Sequence, residues 1–469
     1  MTTTNKNKKK FFLIVGAGIS SIGAAKLLNK EGAKVVILES KSRSSINLSK
    51  DIIDQTEIEI FFDTEFKYDQ IRPFLKSLSG VIIPPGISWQ HPTIKHLRKL
   101  KINIMSEIDL AWSRLNSIPW VGITGTNGKS TVTEMLNHVI NSSGISSIAG
   151  GNIGYSASEL ALSIQENKIK PEVLIMELSS YQIETTSCIS PTIGIFTSFS
   201  EDHLDRHKTL LNYFSIKKSL LDNSEIRIYN ADSNYIIDNR VNLKEGLWIS
   251  TSASKEKPLN INYWIDNEGY IYEDHKRLFK HKILNLIGNH NLQNLLLVIA
   301  AARYLEISID NIKQGISTFK GIEHRLELIF KNESLQIFND SKATNFESST
   351  VALESMQSTC ILLAGGISKE GSPSQWINAI KKNANSIILF GLDARKLGKI
   401  LLNAGIQNFI EVDSLEHAIK KSLELASENN VKNILFSPAC ASFDKYANFE
   451  ERGKHFKKLI KSQIYSEFR

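Results

Sequence analysis

The chain has 469 residues, 42% of them apolar, with a formal net charge of +7 and three cysteines. That length exceeds one ordinary core and predicts about two to four domains, and the apolar content excludes a disordered chain. Lys6, Lys8, Lys9 and Lys10 supply four of the positive charges from one short tail. The remainder is near +3, an ordinary value for a soluble chain, and no interleaving of basic with aromatic residues supports nucleic-acid binding. Cys188, Cys360 and Cys440 lie far apart without a Cys-x-x-Cys pair, which argues against a disulfide framework or a zinc site and suits a reducing cytoplasm. The apolar segment Phe11–Ile19 is interrupted by Gly16 and Gly18 and so does not read as a signal peptide. No stretch approaches the roughly 18 apolar residues of a membrane span. A soluble, cytoplasmic protein is expected.

Three blocks follow, each opening with a buried-type strand. The first starts with FFLIVGAG (11–18), continues into an apolar-periodic helix and reaches KVVILES (34–40), a β-α-β opening. The second starts with WVGITGTNGKST (120–131), and EVLIMELSS (172–180) and PTIGIFTS (191–198) read as further strands. NYWIDNEGYIYED (262–274) alternates around Asn-Glu-Gly as a hairpin does, and HNLQNLLLVIAAARYLE (290–306) reads as a helix. In the third block CILLAGG (360–366), SIILFGL (386–392), NFIEV (408–412) and NILFSPA (433–439) alternate with amphipathic segments. The expected fold class is α/β, with parallel, doubly wound sheets.

The strongest chemical signal is GTNGKST at 125–131. Backbone N–H groups of a Gly-rich turn at a helix N-terminus wrap a phosphate, and the helix dipole adds positive potential. Lys129 is placed to reach the β- and γ-phosphates, with Ser130 or Thr131 for Mg²⁺. The strict P-loop spacing is not met, because Ile123 stands where its first glycine belongs. Glu177 ends an apolar strand, where parallel sheets bind ligands, and is a natural Mg²⁺ ligand. His203, in SFSEDHLDRH (198–207), reads by itself as surface decoration. At the N-terminus Gly16-x-Gly18 is followed by Ser21 where a dinucleotide fingerprint has its third glycine. Glu39 closes the next strand, where an acidic residue meets a ribose hydroxyl. FNDSKATNFESS (338–349) and SPACASFDKYANFEERG (437–453) are polar clusters at strand ends.

These motifs, with GGNIG (150–154), MELSSYQIE (176–184), GNHNLQN (288–294) and EHRLE (323–327), occur in an order that resembles the Mur ligases across nearly the whole chain. NDSKATN and SPACASFD point to the branch that adds D-glutamate to UDP-N-acetylmuramoyl-L-alanine. The DNPR signature of the enzyme adding the third residue is absent, and GGISKEGS (365–372) stands in its place. The resemblance implies a Rossmann-like UDP-sugar domain (1–112), a central P-loop-type ATPase domain (113–320) and a C-terminal amino-acid domain (321–469). It implies ATP-dependent ligation through an acyl phosphate, in peptidoglycan precursor synthesis, by a monomer.

By the same resemblance the ATP set comprises Gly125, Thr126, Asn127, Gly128, Lys129, Ser130 and Thr131, with Asn291, Asn294, Arg325 and Asp340. Ser130, Glu177, His203 and a carbamylated Lys217 are implied as ligands of two Mg²⁺ ions. The carbamate pattern, a Tyr followed four residues later by Lys, falls on Tyr213 and Lys217, with Lys218 adjacent. Lys129, His203, Lys217, His324 and Lys342 form the catalytic set. Ile19, Ser20, Glu39, Ser40, Gly86 and Asn152 are implied to hold the acceptor, and Thr344, Lys369, Ser442, Phe443 and Phe449 D-glutamate. The chemistry is coherent, since a carboxylate is a poor electrophile and phosphorylation gives it a leaving group, at a site where cations offset the charge. Three rivals are a folylpolyglutamate synthetase, which should lack DSKATN and SPACAS, an NAD-dependent oxidoreductase, which leaves GTNGKS unexplained, and a P-loop switch, which leaves the third block unexplained.

Overall fold

The computed structural model describes residues 9–46, 58–252, 260–284, 286–356, 358–369 and 371–467; Lys6 and Lys8 of the basic tail lie outside them. Three sheets follow one another along the chain. The first comprises β1 (Phe11–Val15), β2 (Lys34–Leu38), β3 (Ile58–Phe61), β4 (Gly80–Ile83) and β5 (Ile104–Ser106), in the order β3-β2-β1-β4-β5 and parallel throughout. Helices cover such a sheet on both faces, which is why β1 and β2 read as continuous apolar runs rather than alternating ones.

The second sheet has nine strands. β6 (Trp120–Thr124), β7 (Ser147–Gly151), β8 (Val173–Glu177), β9 (Ile193–Phe196), β10 (Ile226–Asn230) and β11 (Leu247–Ser250) are parallel. β12 (Tyr263–Ile265) joins β11 in parallel, and β13 (Tyr270–Glu273) and β14 (Lys276–Lys280) then run antiparallel. The order is β14-β13-β12-β11-β10-β9-β6-β8-β7. The expected hairpin is the β12–β13 pair, closed by the Asp266–Gly269 turn. The third sheet comprises β15 (Glu327–Lys331), β16 (Gln336–Asn339), β17 (Cys360–Gly365), β18 (Ala384–Phe390), β19 (Phe409–Glu411) and β20 (Asn433–Phe436), in the order β15-β16-β20-β17-β18-β19. Its parallel core carries one antiparallel edge strand, β15.

The chain forms two compact units: residues 1–284 with 292–319, and residues 285–291 with 320–469. Within the first, the helix Ile19–Lys30 lies so close to the helix Ala157–Gln165 that a Cβ at Gly23 would stand 2.5 Å from Ser156 Oγ. The helix Glu107–Leu115 is tied in by its acids. Glu107 accepts the Ser158 N–H at 2.5 Å, and Asp109 accepts those of Ser187 and Cys188 together with the Cys188 thiol.

Glu107 is 2% exposed, and burial raises its pKa to about 7 against the Ser158 hydrogen bonds that lower it. A carboxyl whose folded pKa lies above its unfolded value adds stability while protonated, and that stability is lost as pH rises from about 4.5 through about 7. The full excursion corresponds to about 3 kcal/mol. Glu107→Gln keeps an acceptor for Ser158 and cannot ionise. Its melting temperature should match the parent near pH 5 and exceed it by several degrees at pH 8; equal differences at both pH values would contradict this account.

Candidate active site

The turn after β6 is held from below by the end of β9. Thr126 N donates to Ser198 O at 2.8 Å, Asn127 N to Ser198 Oγ at 3.0 Å, and Thr197 Oγ1 to Asn127 O at 2.5 Å. Gly125 and Gly128 have φ of +150° and +86°, and Gly128 caps the helix Lys129–Ser142. A Cβ on Gly125 would lie 2.0 Å from Thr197 Oγ1, and one on Gly128 2.6 Å from Asn294 Oδ1. Only glycine permits this backbone so close to its support. Ser130 and Thr131 are buried in the first helical turn.

Two lysines converge on the loop. Lys129 Nζ donates to the carbonyls of Gly125 (2.9 Å) and Thr126 (2.8 Å). Lys217 Nζ donates to the same Gly125 carbonyl at 2.7 Å, lies 4.8 Å from the centre of the Tyr213 ring and is 1% exposed. Burial first, and Lys129 second, pull the Lys217 pKa well below the usual amine value, opposed by Asp202 and Glu177. Lys218 points elsewhere, into an ion pair with Asp222. The Tyr213 hydroxyl reaches Thr126 Oγ1 at 3.3 Å, so the helix Leu210–Asp222 props the loop through two side chains.

Glu177, at the end of β8, is 1% exposed. Its Oε1 accepts from Asn152 Nδ2 at 2.9 Å, and its buried Oε2 has no hydrogen-bond partner. An ionisable oxygen without a donor is what a hard cation requires. His203 is exposed at φ +53°, with Nε2 3.3 Å from Asp202 and Nδ1 3.3 Å from the Tyr181 hydroxyl. Among the described residues no group of three or more His, Cys, Asp or Glu is gathered for a metal, so a cation here must also draw on other donor types. Asp202, Tyr181 and the loop-supporting Thr197 and Ser198 are not singled out from sequence, although they lie within SFSEDHLDRH, MELSSYQIE and PTIGIFTS.

In the N-terminal sheet, Glu39 accepts the N–H groups of Ala17 (2.7 Å) and Lys41 (2.8 Å) and shapes the glycine turn itself. Beside it Ile19 is 72% exposed, Ser20 half-buried and Ser40 exposed. Gly86 is exposed, and its carbonyl accepts from Arg206, which also pairs with Glu184.

In the second compact unit His324 is 2% exposed, its Nδ1 accepts from Asn339 Nδ2 at 2.8 Å, and its pKa is lowered by burial. Asp340 accepts from Leu326 N and Ser437 Oγ, and burial raises its pKa to about 7. Lys342 donates its N–H to His324 O and holds its ammonium 5.7 Å from the centre of the Phe449 ring. Asn291 donates to Ile287 O, Arg325 and Thr344 are half-buried, Ser442 is buried, and Lys369 and Phe443 are exposed.

Comparison with known proteins bears on this arrangement. Residues 123–302 match the Mur ligase middle domain, and residues 14–78 an NAD(P)-binding Rossmann-like domain. A UDP-N-acetylmuramoylalanine–D-glutamate ligase of Prochlorococcus marinus is 47% identical over 458 residues, covering 97% of each chain. The chain belongs to the Mur ligase family. A Synechococcus ligase of the same description is 40% identical, covering 97% of this chain and 99% of its own. Among solved structures of this fold, a pseudomurein peptide ligase type C from Methanothermus fervidus matches with a TM-score of 0.58 at 19% identity, covering 97% of this chain and all of its own. UDP-N-acetylmuramate–alanine ligase from Thermotoga maritima matches with a TM-score of 0.57 at 16% identity and the same coverage. The Mur ligase middle domain therefore begins on β6 and spans the glycine turn, both lysines and Glu177.

Gly125→Ala tests the tightness of this turn. The added methyl forces Thr197 or the loop to move, and the ATP dissociation constant should rise about tenfold or more. Isothermal titration with the parent alongside measures it, and unchanged affinity would refute the geometric argument.

Proposed function

We propose that the chain joins D-glutamate to UDP-N-acetylmuramoyl-L-alanine at the expense of ATP, releasing ADP and phosphate. The family membership and the full-length relatives named for this ligation support the activity. The observation that carries the mechanism is the convergence of Lys129 and Lys217 on one loop carbonyl beside the unpartnered Glu177 oxygen. In this reading an oxygen of the alanyl carboxylate attacks the γ-phosphorus, ADP leaves, and an acyl phosphate results. The amine of D-glutamate then attacks the acyl carbon, and phosphate departs with one oxygen that began in the carboxylate. Lys129 neutralises charge on the transferring phosphoryl group, and the loop N–H groups orient it. Mg²⁺, for which Ser130, Glu177 and His203 are suitable donors, supplies further charge neutralisation when bound.

The reading extends to further details. Lys217, kept short of its usual basicity by burial and by Lys129, offers the neutral amine that carbon dioxide needs to form a carbamate. The resulting anion would complete the donor set for a second Mg²⁺. Asn291, Asn294, Arg325 and Asp340 serve ATP; His324 and Lys342 serve the reacting groups; Thr344, Lys369, Ser442, Phe443 and Phe449 hold D-glutamate; Ile19, Ser20, Glu39, Ser40, Gly86 and Asn152 hold the acceptor. Three functional domains, 1–112, 113–320 and 321–469, and a monomer complete the proposal.

With the alanyl carboxylate labelled by ¹⁸O, one labelled oxygen should appear in inorganic phosphate, and ADP should be the sole nucleotide product. Label in AMP, or pyrophosphate release, would mean adenylation and end this mechanism. Lys217→Ala should abolish turnover, partly restored by formate or acetate, whereas Lys218→Ala should stay within about threefold of the parent, since a partly exposed ion pair is worth little. A dead Lys218→Ala beside an active Lys217→Ala reverses the assignment.

A further inference from the structure

Arg452, on the helix Phe449–Glu467, is 1% exposed, yet among the described residues no carboxylate is one of its hydrogen-bond partners. Its guanidinium binds backbone and hydroxyl oxygens instead. Nε donates to Ser341 Oγ at 3.0 Å, Nη2 to Ser341 O at 2.8 Å, and Nη1 to Cys440 O at 3.0 Å and, more weakly, to Gly365 O at 3.5 Å. Burial lowers its pKa to about 10, so the group remains charged at neutral pH. A buried cation without a directly paired counter-ion is costly, and neutral oxygens satisfy its donors without neutralising it. Its retention calls for something that these particular bonds accomplish.

The three bonded segments are the ends of three strands: β16 leads to Ser341, β17 ends at Gly365, and β20 leads to Cys440. Each continues within a few residues to a position in the proposed D-glutamate set: Ser341 to Thr344, Gly365 to Lys369, Cys440 to Ser442 and Phe443. Phe449 opens the helix that carries Arg452, and its carbonyl accepts from Ser341 Oγ at 2.8 Å. Ile367 and Ala441 exchange reciprocal backbone bonds of 2.9 and 2.8 Å, which fastens the second loop to the third. We infer that Arg452 is the positioning residue of the amino-acid site, one planar cation that fixes the relative placement of the loops bearing Thr344, Lys369, Ser442 and Phe449. The inference rests on the proposed function, because that reading assigns D-glutamate to those loops. A planar fork reaches three loops from one centre, which a lysine ammonium cannot match. Displacement of a substrate-holding group by about 1 Å is enough to change rates by orders of magnitude.

The test is steady-state kinetics on the full chain with each substrate varied in turn, plus melting curves. Arg452→Lys should raise the KM for D-glutamate about tenfold or more, while the KM values for ATP and for UDP-N-acetylmuramoyl-L-alanine stay within about twofold. ADP formed in a first-turnover burst without D-glutamate should persist. Ser341→Ala, which removes the hydroxyl joining Arg452 to Phe449, should give the same split in weaker form, and it decides the matter if Arg452→Lys does not fold. Unchanged KM for D-glutamate, or an equal rise in all three KM values, overturns the inference. If the parent uses a different amino acid, the proposed substrate is wrong, and the inference survives only if that amino acid's KM shows the split.

Discussion

One backbone carbonyl, that of Gly125, receives the amino groups of two lysines, and the layout of the central site follows from that convergence. Two like charges at such range would repel, and Lys129, after burial, is what lowers the basicity of Lys217. The charge of Lys129 is thereby held against the loop, whose backbone is supported by the end of β9 and by Tyr213. The turn is held by backbone groups and short hydroxyls, by the phenol of Tyr213 and by the amino groups of Lys129 and Lys217. Thr197 and Ser198 support it from one side and Tyr213 through Thr126 from the other. A site assembled this way is rigid before substrate arrives, so little reorganisation is required when charge moves.

Much of this is legible in the sequence, and the exceptions have physical reasons. The phosphate turn announces itself because glycine, lysine and hydroxyl residues must be adjacent in the chain to be adjacent in space. Its departure from the strict P-loop is also intelligible, since Ile123 lies inside β6 and is fully buried, a place for an apolar side chain. Lys217 and Lys218 are not separable by pattern alone. One residue along a helix turns the side chain by about 100°, and here that rotation divides a buried amine under the loop from an ion pair with Asp222. Short strands such as β5 and β19 carry too few residues to show a period. Glu39 reads in sequence as a ligand carboxylate, and in the structure its two oxygens also accept the N–H groups of Ala17 in the glycine turn and of Lys41 beyond β2. Sequence position alone does not reveal that engagement.

The C-terminal cluster is the harder case. NDSKATN and SPACASFD are recognisable as motifs, but nothing local explains why two polar stretches almost a hundred residues apart act together. The explanation is a sheet order that sets β16, β20 and β17 side by side, so that three distant loops leave the same edge. Arg452 lies within a quoted motif and still gives no signal, because a lone arginine after two glutamates reads as part of a solvated helix face. Its burial depends on carbonyls that only the folded topology delivers.

The hydrogen bond between Asp109 and the thiol of Cys188 also bears on the chemical durability of the chain. Cys188 is exposed, whereas Cys360 and Cys440 are buried. Partial burial and the adjacent carboxylate nevertheless raise its pKa to about 11, while burial alone takes Cys360 to about 12 and chiefly accounts for the same value at Cys440. Thiolate is the form that oxidants and alkylating reagents attack, and at neutral pH all three sulfurs are almost entirely protonated. Alkylation and sulfenic acid formation at Cys188 are accordingly expected to run slower than at a cysteine of ordinary pKa. A single cysteine introduced on its surface could be labelled selectively without first removing the native ones.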